Sequence, residues 1–232
     1  MDVRKIARYT GWLWIITFVT SIPARFIFYA PALEDGKDYV LGQGNDAMTM
    51  IAIGALLELI LIISNIGTAV VPYSIHKRVS EWGAVGYVTA RVMECVFIAV
   101  GLVFMLAIST LRQDGPSGLD SALGQGFEAV YEWCFRLGPG FFVGVGNGLI
   151  LGWLMYTSGL VPRRFAMLGL IGGTLIIIAG ILGLFDVIEV SSPVQGLMTL
   201  PEAIWEFGIG VYLIVKGYRP EAIRELEPTT AV

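Results

Sequence analysis

Seven ionisable residues stand inside strongly apolar stretches of the chain: Arg25, Glu58, Arg91, Glu94, Arg136, Glu202 and Glu206. In hydrocarbon each costs about 2.5–3.5 kcal/mol on insertion scales, so each needs a partner or a task. Arg91 and Glu94 are three apart, and Glu202 and Glu206 four apart, so each pair shares a helix face. Two carboxylates that close in low dielectric keep a proton or share a cation. By depth, Arg25 and Arg136 are the cations expected to fill that role. Arginines of this kind can engage an anionic group, and mid-membrane glutamates can carry protons. Asn65 and Asn147 are further polar groups in the same stretches that need partners.

Other chemistries are poorly provided for. A single histidine, His76, in a basic loop, and two cysteines, Cys95 and Cys134, fall short of a zinc ligand set, so no metal and no cofactor are expected. The cysteines are expected at different depths, Cys95 near mid-membrane and Cys134 near the outer surface, and therefore unbridged. No serine–histidine arrangement supports a hydrolytic triad. An enzyme would have to use Glu94 or Glu206 as acid or base. Gly144-Val-Gly146-Asn-Gly148 lies in mid-span, not at a strand–helix junction, and so does not read as a phosphate loop. Lys216 stands at a span end, where a lysine reaches for headgroups rather than for an aldehyde cofactor. A formal charge of −4 argues against nucleic acid as a partner.

These residues are positioned by long apolar segments. Of the 232 residues 56% are hydrophobic and only 15% charged, with a mean hydropathy of +0.74, where a soluble domain carries roughly a quarter charged residues. Six segments reach the roughly 20 residues needed to cross a bilayer, at about 9–29, 48–71, 84–111, 137–157, 164–185 and 197–216. They are apolar all round, which excludes barrel strands. The expected fold is an all-α, polytopic transmembrane bundle of six helices forming a single domain, with a short cytoplasmic tail at 217–232. The first segment, though preceded by Arg4, Lys5 and Arg8, is longer than a signal-peptide core and is expected to remain as a span.

Ten basic residues, Arg4, Lys5, Arg8, Lys77, Arg78, Arg163, Arg164, Lys216, Arg219 and Arg224, fall on one side of the spans. The other side, formed by 30–47, 112–136 and 186–196, has Lys37 and Arg112, with Arg136 at its edge. The positive-inside rule therefore predicts both termini in the cytoplasm. Tyr9, Tyr73, Trp82, Tyr156 and Tyr218 would mark the inner interface, and Tyr29 and Trp133 the outer one. Residues 119–136 repeat apolar side chains at Leu119, Leu123, Phe127, Val130 or Tyr131, and Phe135, a helical period. That amphipathic segment is expected on the outer surface or as a bent extension of the fourth span, with a kink at Pro139. Within the fourth span Gly140, Gly144, Gly148 and Gly152 form a smooth face for helix packing, to which Gly169, Gly173 and Gly180 of the fifth offer a complement.

The chain resembles a family of bacterial multi-pass membrane proteins, domain of unknown function 4386. The resemblance is carried by Arg91-x-x-Glu94, Phe135-Arg136-Leu137-Gly138, Ser158-Gly159-Leu160-Val161-Pro162-Arg163, Pro201 to Glu206, and Tyr212-Leu213-Ile214-Val215-Lys216-Gly217. It implies a six-span protein of the bacterial inner membrane and brings no established activity. It also directs attention to Arg91, Glu94, Arg136 and Glu206. The expectation is a charged intramembrane site for a small or amphiphilic ligand. The alternative is a non-catalytic subunit that packs against membrane partners through the glycine face. Membrane lipids are partners on either reading.

Overall fold

A computed structural model describes residues 2–34, 36–41, 46–113, 118–188 and 192–226. Among them there is no strand, and six helices are long and apolar enough to cross a membrane. The first span is α1 (Val3–Pro23) continued by a wide π turn, Ala24–Phe28. Two short helices, α2 (Ala30–Glu34) and α3 (Gly36–Leu41), lead to the second span, α4 (Asp46–Val70). A short α5 (Tyr73–Val79) precedes the third, α6 (Glu81–Gln113). The fourth combines α7 (Gly118–Leu137), π segments at Gly138–Phe142 and Gly144–Leu151, and α8 (Gly152–Ser158). Then come α9 (Arg163–Leu184), α10 (Pro193–Val215) and a terminal α11 (Pro220–Glu225). The expected tail beyond residue 226, and the side chains of Lys37 and Leu119, lie outside the described residues.

Two spans are longer than the sequence suggests. α6 runs 33 residues, about 50 Å at 1.5 Å per residue. The segment read as an outer surface loop from 112 is helical from Gly118 and runs without a break into the fourth span, the bent-extension alternative. It packs along α6: Phe104 and Phe127 meet edge to face at 5.3 Å, and Tyr131 and Cys134 lie over Gly101. The kink expected at Pro139 is a wide turn. Proline has no N–H and crowds the carbonyl four residues back, and Val143 instead donates to Gly138 O, five residues away. A matching wide turn follows Pro23, where Tyr29 N–H bonds Ala24 O at 2.9 Å. Turns of this type are uncommon and frequent at functional sites.

The glycine face is used inside the molecule. A Cβ at Gly148 would lie 2.2 Å from Gly173 Cα, and one at Gly144 2.8 Å from Gly173 O. Gly152 approaches Leu170 N, and Gly180 approaches Gly140 O. The fourth and fifth spans therefore cross with backbones nearly in contact. The first and sixth spans do the same at Gly11, where a Cβ would meet Gly210 O at 2.6 Å.

The start of the first span and the end of the sixth meet at one face, the terminal face. Arg4 donates to the carbonyls of Val215, at 2.8 Å, and Lys216, beside Gly217, whose φ of +75° a side chain rarely adopts. The short tail expected from 217 carries α11, whose Ala222 is buried, and Arg219 N–H bonds Leu160 O at 2.9 Å. His76 is not a loop histidine: it is buried in α5, 3.5 Å from the Tyr218 hydroxyl, while Lys77 and Arg78 are exposed. Burial holds its imidazole down to about 3, so the ring is neutral. Tyr29 is fully buried, with Tyr131, Met105 and Ile108, in a second core at the opposite, far face.

Candidate functional site

The spans surround a cavity of about 240 Å³. Arg25, Glu58, Arg91, Glu94, Glu202 and Glu206 all line it, brought from the first, second, third and sixth spans. Arg136 does not. Its guanidinium lies over the Trp133 ring at 4.7 Å and borders a separate small recess beside Gly180 and Leu184 of the fifth span.

Near the far face, the wide turn at Ala24–Phe28 presents Arg25 to α7. Its Nη2 donates to both oxygens of Glu132, at 3.0 and 3.2 Å, and the guanidinium stacks on Phe135 at 3.8 Å. Glu58, on the neighbouring α4, accepts from Tyr29 Oη at 3.1 Å and Tyr131 Oη at 3.4 Å. The two tyrosines, one following the first span and one on α7, meet edge to face at 5.6 Å.

Deeper in the bundle Arg91 donates to Glu94 Oε2 at 2.6 Å, to Asn65 O at 3.3 Å and to Asn65 Oδ1. Asn65 Nδ2 in turn donates to Glu94 Oε1 at 2.9 Å, and the Arg91 guanidinium lies 5.1 Å from the Trp14 ring centroid. The i,i+3 pairing expected from sequence is thus one part of a closed set spanning α4 and α6. Both partners are nearly fully buried, at 2% and 4% exposure. A pair so placed is kept by its hydrogen bonds as much as by charge.

On the sixth span, Glu206 accepts from Asn147 Nδ2, and Trp205 Nε1 donates to Asn147 O at 2.9 Å. Glu202 stands otherwise: it is 1% exposed, and neither carboxylate oxygen has a hydrogen-bond partner. Its Oε2 sits against the glycine crossing, since a Cβ at Gly172 would come within 2.6 Å of it and one at Gly148 within 2.9 Å. Neither Arg25 nor Arg136 serves this pair, contrary to the depth argument. Arg25 is taken by Glu132, and the cation acting electrostatically on Glu206 is Arg91.

Glu132, Tyr29 and Tyr131 are the site residues that the sequence reading missed. Glu132 lies in the 119–136 segment, outside the six apolar stretches, where lipid penalty alone does not single out a carboxylate. The signal available was Arg25, a cation lodged one turn from the end of its span. Among the described residues no group of three or more His, Cys, Asp or Glu could hold a metal ion, and Cys95 and Cys134 are both free.

The cavity's outer wall includes Ile22 and Phe26, which are 50% and 63% exposed on the bundle surface. Below them the first and sixth spans are closed by the Phe18–Phe207 contact, at 5.6 Å, and by the Gly11–Gly210 crossing. The cavity is therefore open sideways towards the far face, between the first span and the Thr199–Ala203 stretch of the sixth. A volume of about 240 Å³ is below the roughly 300–1,000 Å³ usual for drug-sized ligands. It suits a small molecule, or a head group whose tail lies in the opening.

Fold and site together define a six-span, all-helical membrane protein with a charged internal cavity. The profile of a family described as domain of unknown function (DUF4386) matches residues 9–217, and the chain belongs to that family. No curated protein and no solved structure matches it.

Proposed function

We propose that the protein binds a small or amphiphilic molecule in this cavity and passes it between the membrane and one of its faces. The observation that supports the reading most is the gathering of six ionisable side chains, otherwise costly in hydrocarbon, around one space that opens sideways. The competing reading, a subunit docking through its glycine face, loses its support because that face is occupied by the fifth span.

The setting that belongs to this proposal is a bacterial inner membrane, with both termini in the cytoplasm, as the ten basic residues favour. A C-terminal green fluorescent protein fusion should fluoresce and an alkaline phosphatase fusion should be inactive; the reverse pattern refutes that orientation. For binding, native mass spectrometry of the gently purified protein should find a retained small mass that is lost in Glu206→Gln. Bare protein in both, with thermal stability unmoved by added lipid extracts, would count against the cavity as a binding site.

A further inference from the structure

Carboxylates outnumber available cations in the cavity. Of the two arginines that line it, Arg25 is held by both oxygens of Glu132 and Arg91 by Glu94. Three lining carboxylates then remain without a contacting cation. Glu58 accepts two tyrosine hydroxyls, and Glu206 accepts one amide. Glu202 accepts nothing, although it is almost wholly buried and one turn from Glu206.

The groups that act on Glu202 are few. Glu206 shares its helix, and Arg91 and Glu94 reach it from the third span. The fourth and fifth spans oppose it with Gly148 and Gly172. Glu202 is thus bordered by a carboxylate and bare backbone, with no donor in hydrogen-bond contact and Arg91, already paired with Glu94, acting on it only from a distance. Buried carboxylates in this position hold a proton or a cation between them. Phe18 and Phe97 also line the space, and aromatic faces attract ammonium groups.

We propose that the cavity takes the cationic head of an amphiphile, an alkylammonium, against Glu202 and Glu206, its tail lying in the opening between the first and sixth spans. The assignment rests on the binding reading above and narrows it to a ligand class. When the cation enters, the proton held by the two carboxylates leaves to water. One O–H bond breaks, one monocation is gained, and the charge of the site is unchanged. Binding of the cation therefore tightens as pH rises, and one proton is released per cation bound.

The test uses the full-length protein in nanodiscs with three probes of equal tail length: hexyltrimethylammonium, hexanoate and hexanol. Calorimetry in two buffers of different ionisation enthalpy counts the protons. The expected result is saturable binding of hexyltrimethylammonium alone, with release of about one proton. Glu202→Gln should weaken it by more than about tenfold, because a charge partner in a desolvated site is lost. Arg136→Gln, outside the cavity, should leave it unchanged. Should Glu202→Gln fail to fold, Glu206→Gln and the proton count in the wild-type protein carry the test. Selective binding of hexanoate would overturn the cation assignment in favour of the two nitrogens of Arg25 that lack acceptors, leaving the binding reading intact. Equal binding of all three probes would reduce the cavity to an apolar slot and overturn the assignment as well. If no probe binds and no retained mass is found, both readings fall.

Discussion

Replacing Gly148 by alanine puts a methyl group into the tightest glycine contact among the described residues. Its Cβ would lie 2.2 Å from Gly173 Cα, 2.7 Å from Gly173 N and 2.9 Å from Glu202 Oε2. Carbon atoms pack best at about 3.5–4.0 Å, so the two backbones must part by more than about 1 Å. Gly173 has no side chain that could yield. Overpacking of this kind costs about 1–3 kcal/mol, against a helix-propensity gain for alanine over glycine of up to about 1 kcal/mol. Gly126→Ala supplies the comparison, because that glycine is also helical and nothing lies within 4 Å of its would-be Cβ. The propensity gain is common to both variants, so their difference isolates the clash: Gly148→Ala should be less stable by about 1–3 kcal/mol. Reversible unfolding in mixed micelles by titrated dodecyl sulfate, followed through the six tryptophans, measures that difference. Midpoints agreeing within about 0.5 kcal/mol, the usual scatter of substitutions that touch nothing, would refute the close crossing of the fourth and fifth spans. Because the same methyl group crowds Glu202, the alanine variant should also bind hexyltrimethylammonium more weakly than Gly126→Ala does.

Two further outcomes follow from the buried polar groups. Glu94→Gln leaves the Arg91 guanidinium buried without its anion and should cost about 3–5 kcal/mol, whereas Arg91→Gln/Glu94→Gln together should cost clearly less than the sum of the two single changes; additive losses in the same unfolding assay would show that the pair is not coupled. His76 is held neutral by burial, with its folded-state value lowered to about 3, against roughly 6.5 in an unfolded chain. Between those values the unfolded state binds the extra proton, so stability is unaffected above about pH 6.5 and falls as pH drops below it, by up to about 1.4 kcal/mol per pH unit from this residue. His76→Phe should flatten the unfolding midpoint between about pH 6.5 and 5, and an unchanged slope would place the sensitivity elsewhere.

Which residues are costly in the bilayer was legible from the chain, because lipid penalises an isolated charge wherever the span runs. Six of the seven ionisable residues singled out in this way line one cavity. The pairing of Arg91 with Glu94 was legible from their spacing; the placement of Arg25 and Arg136 was not, and the wide turns are the reason. Face assignment by three- and four-residue spacing assumes 3.6 residues per turn. At Ala24–Phe28, Gly138–Phe142 and Gly144–Leu151 a bond to the fifth residue replaces the bond to the fourth. Each wide turn rotates everything beyond it. Arg25 is thereby turned towards Glu132, while Arg136 goes to the recess beside the fifth span.

The same distortion explains why the glycine face works. In a regular α-helix residues four apart drift steadily round the axis, so Gly144, Gly148 and Gly152 would fan out. Through the wide segment Gly144–Leu151 a turn takes up about four residues, close to the glycine spacing, and all three glycines face the fifth span. Close approach there is what makes room for Glu202: a side chain at Gly172 would stand 2.6 Å from its Oε2, and one at Gly148 2.9 Å. The glycine series and the unpartnered carboxylate, two separate signals along the chain, are one construction in space. Bare backbone on two helices admits an acid from a third and leaves it facing the cavity with nothing to satisfy it except what the cavity holds.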